Sequence, residues 1–199
     1  DRRTEIAHVS GEVDIEDLIP EEESVFTLTH AGYIKRQPSD TYQAQRRGGR
    51  GITALSRKDE DFVEELFLAS THDYILFVTD MGRVYRLKGY QVYEGSRTSR
   101  GVNIVNLLPL QDGEQVTSML RVPGGDNAEG YLTMVTKAGV IKRTALANYS
   151  NIRKNGLIAI NLNEGDSLAW TRITSGEDEL IVATRNGMAI RISENAVSY

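Results

Sequence analysis

The chain has 199 residues, 40% of them hydrophobic and 26% charged, which is enough apolar material for a core and excludes disorder throughout. No apolar run approaches the roughly 18 residues that a membrane-spanning helix needs, and residues 1–20 are acidic rather than basic-then-apolar, unlike a targeting leader. With no cysteine, disulfides and thiolate metal sites are impossible, as expected in a reducing cytoplasm, and a formal net charge of −5 argues at first against a polyanionic partner.

That sum conceals a strong segregation of charge. Residues 1–24 carry nine acids and two arginines, and the acidic run 12–23, with Pro20 inside it, reads as an exposed lead-in with at most a short helical turn. Three later windows are basic: residues 33–58 at +6, 83–100 at +4 and 137–154 at +5, leaving −20 on the remainder of the chain. One such cluster is an ordinary solvated face, but three at similar spacing call for a common cause.

The cause is an internal repeat. SVFTLTHAGYIKRQ, YILFVTDMGRVYRLK, YLTMVTKAGVIKRT and LIVATRNGMAIRIS align as strand, tight turn and strand, with turn glycines Gly32, Gly82, Gly139 and Gly187 at separations of 50, 57 and 48 residues. A glycine there supplies the positive φ that a short hairpin demands. The first three hairpins are followed by basic, glycine-containing stretches, QRRGGRGI, SRTSRGVNIVNL and IRKNGLIAINL. An apolar segment then precedes each later hairpin: VEELFLASTHD, VTSMLRVPGGD and AWTRITSGED. The first of these has a helical look, but its counterparts hold Val, Thr, Trp and Ile, so a strand is expected over residues 61–69. The reading is all-β: propeller-like blades of about 50 residues and four short strands, with repeats near 24–72, 73–129 and 130–178 and an incomplete one at 179–199, preceded by a connector at 1–23. Three repeats and part of a fourth suggest a fragment of a larger wheel.

Catalytic signatures are missing from the sequence. His8, His30 and His72 stand apart with no metal-binding spacing, and neither a phosphate-binding Gly-x-x-x-x-Gly-Lys loop nor a Gly-x-Ser-x-Gly elbow occurs. The pairs Glu64 and Glu65, and Asp178 and Glu179, fall at blade edges or turns, and GGDNAEG at 124–130 lacks the calcium-loop pattern. No catalytic residue, metal ligand or cofactor is therefore assigned.

The distinctive segment is Gln45, Arg46, Arg47, Gly48, Gly49, Arg50 and Gly51. Three guanidiniums suit paired hydrogen bonds to phosphate oxygens, and the glycines let the main chain approach a polyanion closely. Such contacts position a duplex without reading its bases.

This heptad closely resembles the gyrase A box, QRRGGKG, which marks the C-terminal domain of DNA gyrase A subunits, with Arg50 in place of lysine. The similarity extends over essentially the whole chain through DRRTEI, EDLIPEE, HAGYIKRQP, RVYRLKGYQVYEGSRTSRGVNIVNLLPL and TSGEDE. It implies a β-pinwheel, a closed wheel of six blades in the family, that wraps double-stranded DNA without sequence preference so that an ATP-dependent type II topoisomerase introduces negative supercoils. It also implies a cytoplasmic heterotetramer that includes a second copy of the gyrase A chain together with the gyrase B subunit, with ATP and Mg needed only by the holoenzyme. The box would fasten the wrap. Lys35, Arg36, Arg83, Arg86, Lys88, Arg97, Arg100, Lys142, Arg143, Arg153 and Lys154 would form a basic rim along the DNA path. Two alternatives are the C-terminal domain of the topoisomerase IV A chain, disfavoured by the near-intact box, and a protein-interaction propeller, disfavoured because Trp170 is followed by Thr171 rather than Asp.

A fastening role makes a divided prediction. Replacing Arg46, Arg47 and Arg50 by alanine in the full-length protein is expected to abolish supercoiling and spare ATP-dependent relaxation, and equal loss of both counts against it.

Overall fold

The computed structural model describes residues 14–41, 61–122 and 125–198, so the arginine-glycine heptad at 45–51 lies outside the described residues. Thirteen strands follow in order: β1 (Glu23–Thr29), β2 (Tyr33–Pro38), β3 (Val63–Ser70), β4 (Tyr74–Thr79), β5 (Arg83–Lys88), β6 (Val102–Asn103), β7 (Val116–Val122), β8 (Tyr131–Thr136), β9 (Ile141–Ala145), β10 (Leu157–Ile158), β11 (Leu168–Thr174), β12 (Glu179–Ala183) and β13 (Ala189–Ser193). The helical pieces among the described residues are 3-10 turns of three or four residues.

Each repeat opens with an antiparallel hairpin: β1 with β2, β4 with β5, β8 with β9, and β12 with β13. The turn sequence is Thr-x-x-Gly in all four, because the glycine N–H donates back to the threonine carbonyl: Gly32 to Thr29 at 2.9 Å, Gly82 to Thr79, Gly139 to Thr136 and Gly187 to Thr184, each at 3.0 Å. The glycines take φ of 79°, 75°, 89° and 82°, a region that a Cβ disfavours. In the first three turns the threonine hydroxyl accepts the N–H just past the glycine, from Tyr33, Arg83 and Val140. The segment at 61–69, expected as a strand, forms β3, and it returns to pair with β1 as β7 does with β4 and β11 with β8.

The fourth strand has a different origin from its neighbours. The basic glycine-containing stretch does not complete its own repeat but crosses to the preceding one: β6 pairs with β2 through Ile34↔Val102, and β10 pairs with β5 through Val84↔Leu157. The first two sheets therefore run β3-β1-β2-β6 and β10-β5-β4-β7, while the third has β11-β8-β9 and the fourth only its hairpin. Strand β7 touches both β3 and β11, so these edges of the sheets converge while the opposite edges carry the exchanged strands.

Burial on both faces explains the run Ile75-Leu76-Phe77-Val78. Side chains alternate across a strand, so Ile75 and Phe77 enter the core shared with the first blade, beside Phe26, Ile34, Ala69 and Met119. Leu76 and Val78 enter the core shared with the third, beside Leu132, Met134, Ile160 and Leu168. All four are at most 1% exposed, each worth roughly 1.5–3 kcal/mol of burial. In the fourth hairpin Ile181 is 73% exposed.

The acidic lead-in is anchored rather than free. A 3-10 turn, Ile15–Leu18, is capped by Asp14, and Glu16 meets Lys88 at 2.9 Å. The His72 ring contacts the Ile19 carbonyl at 2.8 Å, and the Thr71 hydroxyl donates to Pro20 O at 2.9 Å.

The crossing of the second sheet rests on Gly82, whose carbonyl accepts from the Ala159 and Ile160 N–H groups and whose added Cβ would lie 2.6 Å from the Ile160 carbonyl oxygen. Gly82→Ala combines this clash with an unfavourable positive φ and is expected to cost about 2 kcal/mol or more. Urea unfolding measures it, with the midpoint falling at unchanged slope. A destabilisation under about 0.5 kcal/mol contradicts the crossing geometry.

Candidate nucleic-acid interface

The structure separates the eleven rim cations into two kinds. Those on the hairpins turn inward, because each β5-like strand runs beneath the segment that crosses from the next repeat. Lys35 is 0% exposed, and its Nζ donates to the carbonyls of Ser96 at 3.1 Å and of Arg97 and Ser99 at 3.0 Å. Burial pulls its pKa below the ordinary lysine value. Arg143 is 2% exposed, donates to Asn195 Oδ1 at 3.0 Å, and lies 3.8 Å from the buried Glu194 carboxylate and 4.5 Å from the Tyr131 ring centre. Neither forms the exposed rim expected of it; each ties one repeat to the next.

Four more are engaged internally. Arg36 donates to Val92 O at 3.1 Å and pairs with Glu94 at 2.9 Å. Arg83 donates to the Asn155 carbonyl, and Lys142 to the Ala159 carbonyl at 2.8 Å. Lys88 is shared between Glu16 and the His72 carbonyl, 4.0 Å from the Tyr74 ring centre. Half-buried Arg86 lies over the same ring, its guanidinium 3.7 Å from the centre.

The second kind sits on the crossing loops. Arg97, Arg153 and Lys154 are exposed, and Arg100 is 34% exposed with its guanidinium 3.6 Å from the Tyr33 ring centre and 3.7 Å from Asp61. Gly51, Gly101 and Gly156 occupy the same place in the repeat, each followed by an apolar residue. Of the eleven rim cations, the exposed ones thus belong to the repeat counterparts of the arginine-glycine heptad, whereas on the hairpins the exposed cations are others, Lys137, Arg185 and Arg191.

Sequence reasoning missed the acid two residues before each third strand. Asp61 Oδ1 accepts the Ala31 N–H at 2.9 Å, and Asp166 Oδ1 the Ala138 N–H at 3.0 Å, both at hairpin turns. Glu114 instead accepts the Thr79 hydroxyl at 2.7 Å, the Tyr85 hydroxyl at 3.1 Å and the Gln111 N–H at 2.7 Å. The pattern Asp/Glu-x-Val/Leu at 61, 114 and 166 was the available signal. Burial alone would raise the Asp61 pKa, but the Ala31 N–H, the Thr29 hydroxyl, Arg100 and the Phe62 N–H together hold it below the usual carboxylate value.

The fold and interface define a class: a bladed β-propeller, built of about 50-residue repeats, that presents basic loops from its strand crossings. The family described as "DNA gyrase C-terminal domain, beta-propeller" matches residues 23–70, 73–123, 130–175 and 178–198, and the chain belongs to it. The DNA gyrase A protein of Clostridium acetobutylicum is 52% identical over 194 residues, covering 98% of this chain and 23% of that protein. Among solved structures, a DNA topoisomerase IV C-terminal domain superposes with a TM-score of 0.74 at 25% identity, covering 88% of this chain and 53% of that one. A DNA gyrase A C-terminal domain gives 0.64 at 26% identity, covering 85% and 54%. The chain thus spans under a quarter of the curated relative and about half of each solved domain.

The depressed Asp61 pKa has a sign. Its contribution to stability is complete above the ordinary carboxyl value of 3.8 and drains away as pH falls through the lower folded-state value. Asp61→Asn is expected to be less stable than wild type near pH 6 and to lose less on acidification to about pH 3, read as urea midpoints at both values. Parallel losses in the two proteins would show that Asp61 is not held ionised by these contacts.

Proposed function

We propose that this chain binds duplex DNA through its strand-crossing loops and bends it around the propeller, as the DNA-wrapping part of the A chain of an ATP-dependent type II topoisomerase that introduces negative supercoils. The observation that carries this reading is the exposure of Arg97, Arg153 and Lys154, with partly exposed Arg100 beside them, at the positions that correspond to the arginine-glycine heptad at 45–51. Membership in the gyrase C-terminal family supports the same conclusion. Bending a few tens of base pairs costs on the order of 1–6 kcal/mol, so contacts spread over successive blades suit the task better than one patch. Their partners are phosphates, so the duplex is held without regard to sequence.

The loop cations carry the contact, together with Gln45, Arg46, Arg47, Gly48, Gly49, Arg50 and Gly51, while Lys35, Arg36, Arg83 and Lys142 on the hairpins hold the loops in place. This part carries no catalytic residue; strand cleavage, ATP and Mg belong to the holoenzyme. That holoenzyme is a cytoplasmic assembly with a second A chain and the gyrase B subunit.

Two measurements test the proposal. Converting Arg97, Arg100, Arg153 and Lys154 to alanine is expected to weaken duplex binding and to flatten the dependence of log affinity on log salt by about 0.9 for each phosphate no longer neutralised. Nicked plasmid sealed by ligase with the intact domain bound should trap writhe in wild type and little in the variant. An unchanged salt slope and linking number would overturn the assignment.

A further inference from the structure

The hairpin position three residues past the turn glycine is Lys35 in the first repeat, Tyr85 in the second and Lys142 in the third. In the first two blades this position lies directly beneath the loop that crosses from the next repeat. Gly156 packs flat on the Tyr85 ring, where an added Cβ would meet Cε1 at 2.8 Å. Lys35 lies under residues 95–101 in the same manner: a Cβ on Gly95 would sit 3.1 Å from Lys35 Cδ, and one on Gly101 would sit 3.2 Å from Lys35 Cβ. The loop therefore wraps the aliphatic stem while its carbonyls close over the ammonium.

An ammonium group has three donors, and here three acceptors of one short segment take them, from Ser96, Arg97 and Ser99. Backbone bonds secure only the flanks: Arg36 N–H to Tyr93 O at 2.9 Å, Gly95 N–H to Arg36 O at 3.0 Å, and Ile104 N–H to Gly32 O at 2.8 Å. Between them, Ser99 N–H and its hydroxyl both return to Ser96 O, which folds the segment on itself but does not attach it to the sheet. Attachment of the loop's middle falls to Lys35, while at its far end Arg100 reaches back to the Tyr33 ring and Asp61.

We infer that Lys35 is a positioning residue for duplex binding: without touching DNA, it fixes the loop that presents Arg97 and Arg100. This rests on the reading of those two arginines as phosphate contacts. Each carbonyl left by its removal would be a polar group that the loop must expose by moving, and the two cations would move with it. A preorganised contact avoids that ordering cost on binding, whereas a loose one incurs it.

A double-mutant cycle in the full chain separates this role from direct contact and from general destabilisation. The probe is a mixed-sequence linear duplex, titrated over a range of salt. Lys35→Met is expected to bind about tenfold more weakly than wild type, and to cause no further weakening when added to Arg97→Ala/Arg100→Ala. Its salt slope should fall by about 1.8, toward that of the double variant, whereas removing one directly bound phosphate would lower it by about 0.9. Should Lys35→Met fail to fold, Gly95→Ala keeps every charge while its Cβ would press Ser99 Oγ at 2.5 Å and Lys35 Cδ at 3.1 Å, disturbing the loop where it sits on Lys35, and it is expected to repeat the pattern in weaker form. The same weakening in both backgrounds, or none in either, overturns the role of Lys35. Wild-type binding by Arg97→Ala/Arg100→Ala would instead overturn the assignment of the loop itself.

Discussion

The exchanged strand is the constraint on which the rest of this structure depends. Val102 and Asn103 belong by sequence to the second repeat yet complete the sheet of the first, and Leu157 and Ile158 do the same for the second. A sheet edge left open would offer unpaired N–H and C=O groups to any other strand. In the first two sheets that edge is closed by the following repeat, and blade-to-blade contact there is a matter of backbone hydrogen bonds as well as buried side chains. Because β4 is apolar on both faces, a one-residue slip would not expose it to water but would exchange the two cores. The paired shapes of Ile75 and Phe77 against one blade and Leu76 and Val78 against the other are what hold its register.

Exchange also decides what the basic residues do. A segment that crosses a sheet edge brings carbonyls that the edge strand cannot all satisfy, and Lys35, Arg83 and Lys142 supply donors to them. Lys35, Arg83, Lys142 and Arg143 on the hairpins are thus used in joining repeats, and Arg97, Arg153 and Lys154 on the crossing loops remain at the surface. A net charge of −5 is compatible with binding a polyanion because what matters is the exposed charge along one path, not the sum. The acids have a comparable division: Glu114 and Glu194 are buried among hydroxyl, N–H and guanidinium donors.

Much of this architecture was legible in the sequence, since local signals and the repeat agreed. The Thr-x-x-Gly turns follow from glycine's access to positive φ, and the strand at Val63–Ser70 followed from its counterparts rather than from its own helical look. The destination of the crossing strands was not legible, because a two-residue strand such as Leu157–Ile158 carries no period, and its partner is set by the tertiary path. The same gap misassigned Lys35 and Arg143. A cation next to a glycine-rich basic stretch looks exposed until the strand that covers it is known. The anchoring of the acidic lead-in by His72 and Lys88 was hidden for a similar reason, its partners lying more than 50 residues away.

A protein that bends a stiff polymer must hold its contact points rigid relative to one another, for otherwise the polymer straightens by moving them. On an isolated hairpin a long cation reaches far but keeps its rotamer freedom, and its grip is soft. A short loop pinned at both flanks and from beneath gives less reach and more stiffness. In this chain the loop that bears Arg97 and Arg100 is held by the sheet of the repeat before it, so the spacing between cation-bearing loops on neighbouring blades is set by the sheets rather than by side-chain flexibility. The exchange that closes the first two sheet edges therefore also fixes where the cation-bearing loops stand relative to one another.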